Sequence, residues 1–356
     1  MLIVVKVGTS VLIDSAGAVS KSGVEQIISG VAALQKQNHR VVLVSSGAVG
    51  TGKAKLPKIS GNAQKQIWAA VGQPALMEIY TKYFSRFGLQ IGQCLLLRDE
   101  FTDRERYANS LATISGLLDA GVVPIINEND VIAMEDLTVG DNDLLAAMVA
   151  VALAADRLII LTNQAGVYTA NPDTDPEAKL IKAVKNVDKE FEKMFDGETS
   201  LHGRGGMLSK VRAAKHAVSG GVETIIADGR QVGVLENLGH KDTGKDLRST
   251  RFEGRQTILT DQQRWLLAAK GFGEVIIDGG AAAALASGKS LLFPGMLSVK
   301  GIFEKGQVVE VMTTKGQTVA YGKVNYSHKE LQRALMEKKP VAKEIIHRDY
   351  MVRLQS

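Results

Sequence analysis

The chain has 356 residues, 45% hydrophobic and 23% charged, with a formal net charge of +5; these values match soluble globular proteins of about two domains and exclude disordered, collagen-like and fibrous classes. A single cysteine, Cys94, excludes an intramolecular disulfide and a Cys-rich zinc or iron–sulfur site, and it points to a reducing, cytoplasmic compartment. The start of the chain lacks the features of a secretory signal, and the longest nearly apolar run, Leu144 to Ala155, is twelve residues, short of the ~20 that cross a bilayer, so no membrane partner is expected.

Leu2 to Val7 reads as a first strand with Lys6 embedded in it and Gly8-Thr9-Ser10 at its exit. A lysine in an apolar strand is costly unless its ammonium finds a partner, which phosphate oxygens would supply. The alternative is an edge-strand lysine that guards against aggregation. Val24, Ile27, Ile28, Val31 and Leu34 then repeat at helical spacing behind Ser20 or Ser22 as cap. Val41 to Val44 forms the next strand and ends in Ser45-Ser46-Gly47-Ala48-Val49-Gly50-Thr51-Gly52. Such a loop lets backbone amides approach a carboxylate or phosphate, and a plain tight turn is the alternative. It is not a Walker A loop, because Ala54 follows Lys53.

Strands are expected at Ile91 to Leu97 and Val122 to Ile126, the latter delivering Asn127-Glu128-Asn129-Asp130. Gly140-Asp141-Asn142-Asp143 comes next, just ahead of the apolar run at 144–155. Capping that helix needs one residue, so these clusters of carboxylates and amides suit an amino group and a divalent cation. Leu158 to Leu161 runs into Thr162-Asn163, and Gly203-Arg204-Gly205-Gly206-Met207-Leu208-Ser209-Lys210 opens a helix continuing through Val211, Ala214 and Val218. Amides and the positive dipole end of that helix favour phosphate, although Lys210 taken alone reads better as an exposed helix residue. With Thr224 to Ala227 as a further strand, the alternation predicts an α/β fold: an open, mainly parallel sheet, strands buried on both faces, helices on both faces, and ligands at the carboxyl ends of the strands.

The rhythm changes after Gly229. Residues 240–272 read as a linker or surface excursion, polar and charged from His240 to Gly254. From Gly273 short strands follow at Glu274–Asp278, Leu291–Phe293, Val299–Phe303, Val308–Met312 and Thr318–Val324, with helices at Ala281–Ser287 and Lys329–Lys338. They predict a small β-rich domain over 273–350. Residues 273–356 hold twelve Lys/Arg against eight Asp/Glu, a pattern that fits either an anionic partner or ordinary solvated lysines.

In order, KVGTS, SSGAVG, DRERYANS (Asp103 to Ser110), INEND, VGDND, GVYTANP and GGM-x-S-K resemble the amino acid kinase family over essentially the whole chain. The tail resembles a PUA domain. Within the family, INEND, VGDND and the Gly-Gly-Met loop resemble the branch acting on glutamate rather than acetylglutamate, aspartate or uridylate kinases. The resemblance implies ATP-dependent phosphorylation of the γ-carboxylate of L-glutamate to L-glutamyl 5-phosphate, the first step of proline biosynthesis. It implies a catalytic domain over 1–239, Mg²⁺ bound with the nucleotide and no dedicated metal site, a homo-oligomer, and proline as feedback inhibitor. RNA is not the expected partner, and the tail reads as a regulatory or assembly module.

Residue by residue, the resemblance implies that Lys6 and Lys210 stabilise charge on the transferring phosphoryl group; two ammonium groups there repel unless a carboxylate sits between them, and with Asn163 uncharged Asp143 is the candidate. Ser46, Asp130 and Asn142 would bind glutamate, with Asn127 and Asp141 nearby. Lys6, Thr162, Asn163, Arg204, Gly205, Gly206, Met207, Leu208, Ser209 and Lys210 would contact ATP. Two positions depart from the family pattern. Asn163 stands where a Thr-Asp pair is usual, which removes a carboxylate beside the lysines. Arg204 stands where Thr usually precedes Gly-Gly-Met, which adds a cation.

Overall fold

The hexapeptide Leu2–Val7, apolar except for Lys6, forms β1 of the computed structural model, with every residue buried. The structure describes residues 1–14, 18–133, 142–195, 206–239, 247–254 and 259–354. It divides into two units, one of Met1–Leu97 with Ala108–Arg255, the other of Arg98–Tyr107 with Gln256–Ser356.

In the first unit β1 is followed by α1 (Thr9–Leu12), α2 (Lys21–Lys36), β2 (Arg40–Ser45), α3 (Ala48–Lys55), α4 (Gln64–Ser85) and β3 (Ile91–Leu96). The chain then passes through α5 (Asp99–Thr102), which belongs to the second unit, and α6 (Arg104–Asp119), which begins there. It returns with β4 (Val123–Glu128), α7 (Asn142–Ala152), β5 (Arg157–Thr162), β6 (Ala183–Val184), α8 (Lys189–Lys193), α9 (Met207–Ser219), β7 (Glu223–Asp228), α10 (Val234–Leu238) and β8 (Ser249–Phe252). Ser20 starts α2 by accepting a hydrogen bond from the Gly23 amide at 3.1 Å, a satisfied N-cap.

The sheet has eight strands in the order β3-β4-β2-β1-β5-β7-β8-β6. It is parallel except that β8 runs antiparallel to β7. β1 lies between β2 and β5, which removes the edge-strand reading of Lys6. β3, expected to be buried on both faces, is an edge strand and only partly buried. Ser249–Phe252, within the stretch read as a linker, is a strand because the buried hydroxyl of Thr250 bonds Val167 and Ile181 across the neighbouring loop.

Alternation along the strands assigns the faces. Ile3, Val5, Val7, Val41, Leu43, Ile159 and Ile225 share one core cluster with residues of α2 and α4. Val4 and Lys6 therefore point to the opposite face, where α7 packs on β1 and β5, and α9 packs on α7 and β7. α7 is apolar almost all round and buried from Leu145 to Ala152, each Leu, Met or Val contributing about 1.5–3 kcal/mol by leaving water.

The second unit contains α11 (Asp261–Ala268), β9 (Lys270–Ile277), α12 (Gly279–Ala286), β10 (Met296–Lys300), β11 (Val308–Thr313), β12 (Thr318–Val324), α13 (His328–Glu337) and β13 (Ile346–Arg353). Its five-stranded sheet runs β10-β9-β11-β12-β13, the small β-rich domain expected of the tail. Where strands were expected at 291–293 and 299–303, a single bridge at Leu291, a 3₁₀ turn Phe293–Gly295 and β10 are found, and β13 was not anticipated. Phe303 and Tyr321 are buried in this unit, so neither presents a surface for stacking. Within the same unit the Trp265 indole donates to the Phe101 carbonyl at 3.0 Å, which ties Arg98–Tyr107 to α11. Among the described residues no helix is long and apolar enough to cross a membrane.

Candidate active site at the carboxyl edge of the sheet

Parallel pairing brings the strand exits to one edge. Lys6 is in register with Val44 of β2 and Ile160 of β5, Val44 with Ile126 of β4, and Ile160 with Ile226 of β7. The loops after β1, β2, β4, β5 and β7 thus emerge together, as the topology of such sheets requires of a ligand site.

Three charges meet there. The Lys6 ammonium lies 2.5 Å from one carboxylate oxygen of Asp143, and the Lys210 ammonium lies 3.1 Å from the other. The Ser209 hydroxyl also donates to Asp143 at 3.1 Å. Relative exposures of 4%, 0% and 6% for Lys6, Asp143 and Lys210 make this a buried cluster, affordable only because opposite charges are paired. Asp143 sits in the first turn of α7, where the helix dipole favours a carboxylate. Lys210 sits in the first turn of α9, against the dipole, and Asp143 offsets that. Both ammonium groups lie beside the start of α9, since Lys210 is in its first turn and Lys6 shares Asp143 with it. An anion of phosphate type suits this place.

A second cluster adjoins the first through the start of α7. Asn142 donates from its amide nitrogen to the Ser45 carbonyl at 2.9 Å, to Asn127 Oδ1 at 2.9 Å and to the Ser46 hydroxyl at 3.2 Å. Its Oδ1 accepts from the Glu128 amide at 3.3 Å. Ser46 and Asn142, expected to bind one ligand, and Asn127, expected nearby, are therefore joined. Asp130 lies in a separate charged group with Glu128 and Lys65. Burial pushes the Glu128 carboxyl above its usual range, with the Asp130 charge adding and Lys65 opposing. Burial also raises Asp130, again opposed by Lys65.

Thr162 and Asn163 stand at the exit of β5, where the Thr162 hydroxyl donates to Asn163 Oδ1 at 3.3 Å. Arg230, on the turn after β7, donates to the Asn163 carbonyl at 2.6 Å and holds Asp228 at 2.8 Å. Gly206 precedes α9 and Met207, Leu208, Ser209 and Lys210 form its first turn. Asp141, Arg204 and Gly205 lie outside the described residues.

The sequence reading missed the layer beneath these loops. Gln73 of α4 accepts from Asn127 Nδ2 at 2.8 Å, and the Tyr80 hydroxyl of α4 pairs with Ser45 Oγ at 2.7 Å; burial pushes the Tyr80 phenol up. These side chains come close because α4 meets α3 backbone to backbone. A Cβ built on Gly72 would fall 1.8 Å from the Ala48 carbonyl oxygen, and one on Gly52 would fall 1.8 Å from that of Trp68. Gly47, at φ +105, turns the chain from β2 into α3 through the left-handed region that glycine tolerates.

The model of the amino acid kinase family matches residues 1–228, and that of the PUA domain matches residues 273–347. Glutamate 5-kinase of Vibrio vulnificus (strain YJ016) is 40% identical over 368 residues, 99% of this chain and 96% of that protein. Glutamate 5-kinase of Yersinia pestis (strain Pestoides F) is 39% identical over 334 residues, 93% of this chain and 90% of that protein. Among solved structures, carbamate kinase from Giardia lamblia bound to AMP-PNP has a TM-score of 0.52 at 19% identity, covering 71% of this chain and 98% of that one. An isopentenyl phosphate kinase has a TM-score of 0.51 at 19% identity, covering 71% of this chain and 100% of that one. At this identity the likeness is one of fold.

Proposed function

The chain belongs to the amino acid kinase family, and from that premise we propose that it transfers the γ-phosphoryl group of ATP to the γ-carboxylate of L-glutamate. The product is L-glutamyl 5-phosphate, and the reaction is the first step of proline biosynthesis. The observation that carries the chemistry is the buried Lys6–Asp143–Lys210 cluster. In phosphoryl transfer, positioning and electrostatics supply most of the rate. The substrate is carried by the similarity to glutamate 5-kinases, which runs over nearly the full length.

In this reading Lys6 and Lys210 neutralise charge on the phosphoryl group in flight, and Asp143 holds the two ammonium groups apart and in place. Ser46, Asn142 and Asp130 bind glutamate, with Asn127 and Asp141 beside them. Thr162, Asn163 and the 204–210 segment meet the nucleotide. A γ-carboxylate, with a free pKa near ~4.3, is ionised at neutral pH and attacks without a general base. Mg²⁺ supplies charge neutralisation on the phosphates and is held with the nucleotide, as is usual for this ion; the Asp143 carboxylate is already engaged by two ammonium groups, which fits that arrangement.

We take residues 1–239 as the catalytic domain, its sheet completed by β8 from the 240–272 stretch, and 273–350 as a PUA-like domain of regulatory or assembly role. A cytoplasmic homo-oligomer with proline as feedback inhibitor, and without RNA or membrane as partner, completes the proposal. The test is ADP release by the purified chain with ATP and Mg²⁺, offered glutamate, aspartate or acetylglutamate. Release that depends on glutamate alone is expected, and release indifferent to glutamate refutes the reading.

A further inference from the structure

We propose that Gln73 is a positioning residue for the glutamate subsite, acting through the side-chain amide of Asn127. The inference rests on the function proposed above and concerns a residue outside the loops that carry it.

The polarity of the network leads to Gln73 from two fixed ends. The Ser45 carbonyl can only accept, so the group Asn142 turns to it at 2.9 Å is its NH₂. The Glu128 amide can only donate, so the atom Asn127 turns to it at 2.9 Å is Oδ1. That same Oδ1 receives the Asn142 NH₂ at 2.9 Å, so both ends demand the same orientation of Asn127. Its Nδ2 then points the other way and needs an acceptor, because Asn127 is 1% exposed and a buried donor left unpaired is unfavourable. Gln73 Oε1 is that acceptor, at 2.8 Å.

Without it, Asn127 Nδ2 loses its acceptor, the preference for this orientation weakens, and the amide turns over more readily. Its NH₂ would then face the Glu128 N–H and the Asn142 NH₂, donor against donor. Asn142 would be pushed from the position in which it reaches the Ser46 hydroxyl at 3.2 Å. Gln73 thus sets the direction of hydrogen bonding in Asn127 and, through it, in Asn142, which is proposed to bind glutamate, although Gln73 sits on α4 rather than on a strand-exit loop. It is partly exposed on its helix, so an apolar replacement of similar volume is tolerated by packing.

The test is a double-mutant cycle on the full chain with Gln73→Met and Asn127→Ala, read as KM for glutamate and KM for ATP. Gln73→Met should raise KM for glutamate about tenfold, the scale of one lost buried hydrogen bond, and leave KM for ATP within about twofold. In the Asn127→Ala background the same change should add less than about twofold, because coupled residues are not additive. Unfolding midpoints are compared throughout, and Gln73→Ala carries the same cycle should Gln73→Met fail to fold. Independent, multiplying effects, or a joint rise of both KM values, overturn the inference and leave the activity standing. An unaltered chain without glutamate-dependent ADP release overturns the activity and the inference together.

Discussion

Asp143→Asn isolates the electrostatic core of the site, since it keeps the shape of the side chain and deletes its charge. In the native chain the carboxylate is wholly buried and bonds Lys6 at 2.5 Å and Lys210 at 3.1 Å. The two ammonium groups sit on its two oxygens, roughly 5–7 Å apart, and at an effective dielectric of ~20 their bare repulsion is about 2–3 kcal/mol. Removing one partner of a buried pair costs about 3–5 kcal/mol. For a domain of this size each kcal/mol lowers the unfolding midpoint by about 2–4 °C, so a fall of about 6–20 °C is expected. Turnover should fall by ~10² to 10³, the usual consequence of losing preorganised charge. ATP supplies negative charge to the same lysines, so saturating nucleotide should recover part of the lost midpoint by binding the folded state. The assays are thermal unfolding with and without ATP–Mg²⁺, and steady-state ADP release. A variant with a wild-type midpoint and a kcat within about threefold of wild type refutes the idea that this carboxylate holds the lysines.

Lys6→Ala and Lys210→Ala should each lower kcat by ~10² to 10³ with little change in KM for glutamate, whereas Asp130→Ala should mainly raise that KM; steady-state kinetics separate the two patterns. Burial raises the carboxyls of Glu128 and Asp130 and Lys65 opposes this, so Asp130 loses its charge as pH falls through a window above the ordinary carboxylate range. Lys65→Met should raise these groups further and move the acid limb of kcat/KM for glutamate to higher pH than in wild type, an effect absent if Lys65 does not act on them. In the same window the folded state holds its protons more tightly than the unfolded one, so this pair adds stability as pH falls. Gly72→Ala places a methyl 1.8 Å from the Ala48 carbonyl oxygen; α3 and α4 must part, and a lower unfolding midpoint with a raised KM for glutamate is expected, the two measured together.

The parallel core was legible because strands buried on both faces must be almost continuously apolar, as Leu2–Val5 and Leu158–Leu161 are. The pattern failed where burial and strand formation separate. Ile91–Leu96 is apolar enough to be read as central yet lies at the edge. Ser249–Phe252 is polar yet pairs with β7, since what holds it is the bonding of Thr250 to a loop that sequence spacing does not bring near. α4 runs through Pro74, a residue type that elsewhere ends or kinks a helix.

The site divides along the same line. Strand exits and helix starts announce their chemistry, because small polar residues and glycines there have few structural duties; Lys6, Ser46, Asn127, Asn142, Asp143 and Lys210 were all read from such positions. Gln73, Tyr80 and Lys65 occupy one helix, α4, in which buried apolar and exposed polar positions are mixed without a clean stripe, so no pattern separates a glutamine that orients Asn127 from one facing water. What distinguishes Gln73 is a hydrogen bond across 54 residues of sequence, set by the approach of α4 to α3 at Gly52 and Gly72. Those glycines are the sequence's own trace of that layer. Spaced on two successive helices, they let the backbones touch, and the touching carries the α4 side chains under the strand-exit loops. A helix pair closed by glycines beside a strand-exit loop is therefore the place to look for the residues that orient a site without touching its substrate.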